Sequence, residues 1–418
     1  MNRRVVITGM GVVSPIGCDV ETYQKNLLQG VCGIGEITRF DTAAFKVKVA
    51  AEVRDFDPLA YMTKMEVKQT DRFTQYAIGA AAQAMAQAEL GENVDHDRFG
   101  VYFGSGIGGF TTFMEEYDTM QTRGNARVSP HFVPRMISNI AAGQIAIRFG
   151  AKGPCVSVTT ACATGTNAIG EALRAIRHGY ADVVISGGSE ASINPLAVAG
   201  FQNCMALTQT ADPMRASIPF DKDRNGFVIG EGAGALVLEE LEHAKARGAK
   251  ILGEVVGYGS TCDAHHVTSP NPTGEDGGRA IRQAMDEAGY SAADRVYINA
   301  HGTSTPLNDS TETKAIKYAM GDAAYGAVVS STKSMTGHML GAAGAVEAIA
   351  AVIALNTGTI PPTIGYQNPD PDCDLDVCPN TAKQFDPTLA LSTSLGFGGH
   401  NACIALRTYA DESCGESV

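Results

Sequence analysis

The sequence predicts an α/β protein made of two related halves. Three observations carry that prediction. Short β-rich runs alternate with longer helical patterns along all 418 residues. Apolar residues are 44% and charged residues 18%, a balance that can bury a large core. The strand candidates also fall into two series of five, and their order and local chemistry correspond. At roughly 150 residues per domain, this length allows two or three domains, or one large α/β unit.

The first series is 4–8, 99–104, 155–160, 181–187 and 233–239, and the second is 251–257, 295–300, 327–332, 388–394 and 402–407. Val101-Tyr102-Phe103-Gly104-Ser105-Gly106 matches Val296-Tyr297-Ile298-Asn299-Ala300-His301. The 155–160 run leads to a small-residue helix after Cys162, and the 327–332 run to a similar helix after His338. Ile185-Ser186-Gly187-Gly188 answers Gly396-Phe397-Gly398-Gly399, and each precedes a last strand. The halves are read as 1–248 and 249–418, with 155–160 placed centrally. The proline-rich stretch 357–385 reads as loop, and the tail after about 410 carries no usable motif.

The helix pattern over 163–178 combines Ala163, Gly165, Ala168, Gly170 and Ala172 with Ile169, Leu173 and Ile176 at helical spacing. Glycine weakens a helix by roughly 1 kcal/mol. So many small residues predict a helix pressed by neighbours on several sides. The run Gly341-Ala342-Ala343-Gly344-Ala345 has the same character, so two central helices are expected to meet at the pseudo-dyad.

A net charge of −13 argues against a general polyanion binder, nucleic acid included. No run of about 18 uncharged apolar residues predicts a membrane span. Gly9, Gly11 and Pro15 break up any secretory signal. The ten cysteines are scattered, which reads as reduced thiols in the cytoplasm. Cys373 and Cys378 have no second pair to suggest zinc, and no metal is expected. Gly104-Ser105-Gly106-Ile107-Gly108-Gly109 lacks the Lys and Ser/Thr pair of a phosphate-binding loop.

Cys162 lies at a strand-to-helix junction in Thr159-Thr160-Ala161-Cys162-Ala163-Thr164-Gly165. The helix N-terminus favours a thiolate there, and a sharp turn presents a nucleophile. His301 directly follows its strand in His301-Gly302-Thr303-Ser304-Thr305-Pro306, where ligands of α/β sheets bind. His338 ends Lys333-Ser334-Met335-Thr336-Gly337-His338, again between strand and helix. Lys333 and Glu312 are candidates for a buried ion pair. The turn Gly396-Phe397-Gly398-Gly399 is a candidate source of backbone N–H groups for an oxyanion hole.

These four spaced segments, together with Val5-Val6-Ile7-Thr8-Gly9-Met10-Gly11, resemble the β-ketoacyl-acyl carrier protein synthases. The resemblance covers essentially the whole chain and fits best the synthase II type of fatty-acid condensing enzyme. It implies the thiolase-like fold, a homodimer and a Cys-His-His centre. Cys162 would be the nucleophile, His301 and His338 the paired histidines, Lys333 their support, and Glu312 the acidic residue after the His301 motif. Cys162 and Phe397 would form the oxyanion hole, with Phe397 gating it. Thr303 and Thr305 would hold the pantetheine arm, and Ile107 and Phe201 would line the acyl pocket. The implied reaction is decarboxylative condensation of an acyl group with malonyl-acyl carrier protein. It needs no cofactor beyond the phosphopantetheine carrying the substrates. Acyl carrier protein would dock at Lys64, Lys68 and Arg127. A polyketide ketosynthase of the same fold shares every motif and stays open. A degradative thiolase would need a second Cys near Gly396–His400, and synthase III an Asn where His338 stands.

Overall fold

The computed structural model describes residues 3–91 and 94–410; the tail from 411 lies outside the described residues. Ten strands form one mixed sheet: β1 Val5–Val13, β2 Phe99–Gly104, β3 Cys155–Val156, β4 Val183–Glu190, β5 Gly232–Glu240, β6 Gly253–Cys262, β7 Val296–Asn299, β8 Val328–Ser330, β9 Leu389–Gly396 and β10 His400–Arg407. Across the sheet they run β8-β7-β9-β10-β6-β1-β5-β4-β2-β3. Outward from the centre, one side reads β1-β5-β4-β2-β3 and the other β6-β10-β9-β7-β8, so the same order occurs twice. Only Val6 opposite Glu254 and Ile7 opposite Gly253 join β1 to β6. The fully buried β1, β4 and β5 read as near-continuous apolar or small-residue runs, as strands covered on both faces do.

Four helices set the layers: α1 Arg72–Ala88, α2 Thr164–Arg177, α3 Glu275–Glu287 and α4 Ala343–Thr357. α1 buries Phe73, Tyr76 and an alanine stripe against β1, β5 and β4. α3 covers the corresponding strands of the other half with Ile281, Ala284 and Met285. α2 and α4 are central, and the largest apolar cluster combines them with strand residues from both halves. Their small residues have the expected cause. A Cβ on Gly165 would stand 2.7 Å from Ala345 N, and one on Gly170 would stand 2.3 Å from the Tyr258 ring. The segment Leu340–Thr357 is apolar and long enough to cross a bilayer, the one such helix among the described residues, and 89% of it is buried within the fold.

One strand expectation fails. The 155–160 run pairs only at Cys155 and Val156, and it lies at the sheet edge beside β2, not centrally. Both residues are exposed. Beyond Val156 the chain leaves the ladder and turns toward Cys162. Thr160 N is satisfied by Thr164 Oγ1 at 2.9 Å, and the Thr160 hydroxyl accepts from Asn167 at 2.7 Å.

Candidate active site

β3 and β8 are equivalent strands, and each leads into a 3₁₀ turn followed by a central helix. In the first half the turn is Ala161–Ala163 before α2; in the second it is Leu340–Ala342 before α4. Ala161 (φ +49°) and Leu340 (φ +46°) both adopt the left-handed conformation, unfavourable for side chains with a Cβ. This shared kink presents Cys162 on one side. On the other, the chain entering the turn carries His338, fixed by His338 N donating to Val228 O at 2.7 Å and by Gly230 N donating to His338 O at 2.9 Å.

His301 follows β7 directly. Its N–H donates to Glu312 Oε1 at 2.7 Å and Gly302 N donates to Oε2 at 2.7 Å, while Thr393 Oγ1 donates to Oε1 at 2.6 Å. Glu312 therefore holds the backbone of the His301 loop. The expected Lys333–Glu312 ion pair is not formed. The Lys333 ammonium instead donates to Glu347 Oε1, with both side chains buried. Sequence order places Glu312 closer to the His301 motif, but α4 brings Glu347 under Lys333. Sequence reasoning missed Glu347, although a signal was present: it is the sole charge in the apolar helix α4, and a buried carboxylate requires a partner.

Cys162, His301 and His338 line one cavity of about 500 Å³. The imidazoles meet edge to face, with ring centroids 5.1 Å apart at 88°. Phe227, also missed from sequence, packs its ring 5.2 Å from His338. Ile107, Phe201, Thr303, Thr305 and Phe397 line the same cavity. Phe201 and Phe397 lie 6.4 Å apart, and the Thr303 and Thr305 hydroxyls share a 3.0 Å hydrogen bond. The Gly396 turn lies against the Cys162 backbone: a Cβ on Gly396 would lie 3.4 Å from Cys162 N. The backbone N–H groups of Phe397 and Cys162 both favour the thiolate form of Cys162.

Electrostatics corrects the expectation of a ready thiolate. Burial pushes the Cys162 thiol up to about 12, outweighing the downward pull of the Lys333 charge and the Phe397 N–H. His301 is held well below the ordinary imidazole value by burial, then by Lys333 and His338; His338 is held low by burial and then Lys333. Both rings are thus neutral at pH 7, each with one donor N–H and one acceptor nitrogen. Among the described residues, Nδ1 of neither ring has a hydrogen-bond partner.

Lys64 and Lys68 stand exposed on the short helix Lys64–Gln69, and Arg127 is exposed at the end of the 3₁₀ turn Asn125–Arg127. Glu66 shares their helix and pairs with Arg148, so the surface there is mixed in sign. Among the described residues, no group of three or more His, Cys, Asp or Glu is placed to hold a metal.

Comparison with known proteins agrees with this arrangement. Residues 2–244 match the family description "Beta-ketoacyl synthase, N-terminal domain" and residues 252–367 match "Beta-ketoacyl synthase, C-terminal domain". The chain is 52% identical over 410 residues to 3-oxoacyl-[acyl-carrier-protein] synthase 2 of Staphylococcus aureus, covering 98% of this chain and 99% of that protein. Among solved structures, the ishigamide ketosynthase/chain length factor superposes with a TM-score of 0.91 at 40% identity, over 98% of this chain and 100% of that one. A type II PKS acyl-carrier protein in complex with its ketosynthase, bound to the hexaketide, gives 0.90 at 35% identity with the same coverage. With both family domains matched in order and the thiolase-like fold shared along nearly its full length, this chain belongs to the beta-ketoacyl synthase family.

Proposed function

We propose that this protein is a 3-oxoacyl-acyl carrier protein synthase that extends fatty acyl chains by two carbons, with Cys162 as nucleophile. The observation that carries this reading is the convergence of Cys162 and two neutral histidines in one cavity. The 52% identity to a relative named for that activity supports it.

In the first half-reaction the Cys162 sulfur attacks the carbonyl of an acyl thioester. Its proton passes to the departing pantetheine thiol, and an acyl-Cys162 thioester remains. A thiol buried this deeply loses its proton in concert with attack rather than beforehand. Backbone N–H groups of Cys162 and Phe397 stabilise the tetrahedral oxyanion, at roughly 3–4 kcal/mol per donor. In the second half-reaction malonyl thioester loses carbon dioxide, and the electrons of the broken C–C bond form an enolate. Neutral His301 and His338 donate N–H groups to its oxygen. The enolate carbon then attacks acyl-Cys162, forming the new C–C bond and releasing the Cys162 thiolate, which takes a proton from solvent. Decarboxylation itself supplies the carbanion, so no strong base is required.

Thr303 and Thr305 hold the pantetheine arm that delivers both substrates, and no other cofactor enters. Glu312 and Lys333 act through the histidines, the first on the His301 backbone and the second through its charge. Acyl carrier protein is the partner, docking across Lys64, Lys68 and Arg127; a relative of the same fold has been seen with its acyl-carrier protein. The active form is a homodimer. A polyketide ketosynthase is the second reading, and similarity to a solved type II PKS ketosynthase complex at 35% identity favours it less strongly.

The test is mass spectrometry of the protein incubated with acyl-acyl carrier protein, followed by a malonyl-acyl carrier protein chase. The expected result is acyl label on Cys162, none in Cys162→Ala, and one two-carbon extension per chase. Label on another cysteine would overturn the assignment, and repeated extension without reduction would favour the polyketide reading.

A further inference from the structure

Glu190, at the end of β4, is fully buried and has no part in the mechanism above. Its carboxylate is surrounded by four neutral donors. Oε1 accepts from the Ser105 hydroxyl at 3.2 Å and the Ser192 hydroxyl at 3.0 Å; Oε2 accepts from Gly106 N at 3.0 Å and Gly341 N at 3.1 Å. The two glycine donors come from opposite halves of the chain. Gly106 immediately precedes Ile107, and Gly341 immediately follows Leu340. Ile107 and Leu340 both line the cavity above Cys162.

The clamp brackets Ile107 from both sides, because Ser105 Oγ also accepts from Gly108 N at 3.0 Å. It also secures a strained segment, since Leu340 has φ +46° and such a conformation persists only when its surroundings over-determine it. The fit is close: a Cβ on Gly341 would lie 2.4 Å from Gly106 N, and one on Gly106 would lie 2.7 Å from Glu190 Oε2. One carboxyl oxygen thus ties together two segments of the cavity wall that come from opposite halves of the chain.

We propose that Glu190 is a positioning residue for acyl-chain selection, setting the gap between Ile107 and Leu340 through which the chain must pass. This rests on the reading that Cys162 carries an acyl group. Hydrogen-bond reach is the operative property, not charge. A Gln at 190 preserves it, because its carbonyl oxygen can accept from both glycine N–H groups while its amide donates to the serine oxygens. An Asp keeps the carboxyl group but is one methylene shorter, so a single oxygen no longer reaches both glycines.

The experiment compares wild type, Glu190→Gln and Glu190→Asp in single-turnover transfer to Cys162 from two-carbon and twelve-carbon acyl carrier protein thioesters. The maximal transfer rate constant and the half-saturating thioester concentration are measured for each length. Glu190→Gln is expected to keep the wild-type length ratio within about twofold, whereas in Glu190→Asp the twelve-carbon rate falls about tenfold relative to the two-carbon rate. A general loss of structure would lower both rates together and leave their ratio unchanged. A wild-type ratio in Glu190→Asp overturns the proposal, as does an equal shift in Glu190→Gln. If Glu190→Asp does not fold, Ser192→Ala removes one donor, and a smaller shift in the same direction is expected; an unchanged ratio there also counts against the clamp. Wild-type protein that takes no acyl label would instead refute the function itself.

Discussion

Replacing Lys333 by Met removes the cation that the buried Glu347 is paired with. Lys333 is 1% exposed and Glu347 2%, and among the described residues the second carboxyl oxygen of Glu347 has no hydrogen-bond partner. Burial raises the Glu347 carboxyl above its ordinary range even with Lys333 in contact, so desolvation outweighs the attraction here. Breaking such a pair leaves an uncompensated buried group and costs about 3–5 kcal/mol, whereas replacing both members by apolar residues is often neutral or stabilising. In urea unfolding, Lys333→Met should lose about that much stability, and Lys333→Met/Glu347→Leu should recover most of it. Activity should not recover with stability. The Lys333 charge lowers the proton affinity of both His301 and His338, second only to burial. Without it both rings titrate at higher pH, toward the ordinary value of about 6.5. Because the neutral rings are the working form, the acid limb of the pH–rate profile should move to higher pH in the single and double variants alike. A single variant as stable as wild type would refute the ion-pair argument, and a double variant whose acid limb coincides with wild type would refute the electrostatic one.

His338→Ala should still acylate Cys162 at a measurable rate but lose condensation by about 10²–10³-fold, the usual loss for one oxyanion donor; single-turnover acylation with a malonyl chase separates this from a role in activating the thiol. Charge reversal at Lys64 and Lys68 should raise KM for the carrier thioester, more at low salt than at high, and unchanged kinetics at low salt would remove both from the docking surface. Folded His301 and His338 have pKa values well below 6.5, so they contribute stability above the unfolded value that is lost as pH falls below about 6.5. Thermal unfolding from pH 7 to pH 5 should therefore show a steeper acid loss in wild type than in a His301→Gln/His338→Gln variant, and equal slopes would contradict it.

Much of this was legible in the sequence because it is local. Strand-to-helix junctions at Cys162 and His338, the strand end at His301, and the repeated order of strands each leave a pattern within a short window. What was lost depends on distance in space. The lone Glu347 in α4 announced that a partner existed but not which one. The Cys162 helix terminus suggested a thiolate, while the surrounding cavity wall decides in favour of the thiol. The 155–160 run is rich in β-branched residues, yet the chain must leave the sheet after Val156 to reach the kinked turn at Ala161. Edge or central placement of such a short strand depends on its neighbours, not on its composition.

The duplication explains why a buried carboxylate occurs at Glu190. β4 and β9 are equivalent strands of eight residues, ending at Glu190 and Gly396. The turns facing them, Ala161–Ala163 and Leu340–Ala342, are equivalent too, each opening on a residue with positive φ. Cys162 N in the first turn therefore corresponds to Gly341 N in the second. Facing the first turn, the strand ends in glycine, close against Cys162 N, and the N–H groups of Cys162 and Phe397 favour the thiolate there. Facing the second, the strand ends in Glu190, whose oxygen takes the Gly341 N–H at 3.1 Å. The fold thus builds one N–H-donating turn twice. In one copy the Glu190 carboxyl group, pushed up to about 7 by burial, occupies it and braces the cavity wall. In the other, glycine leaves the same position open, as the oxyanion hole of the proposed reaction requires.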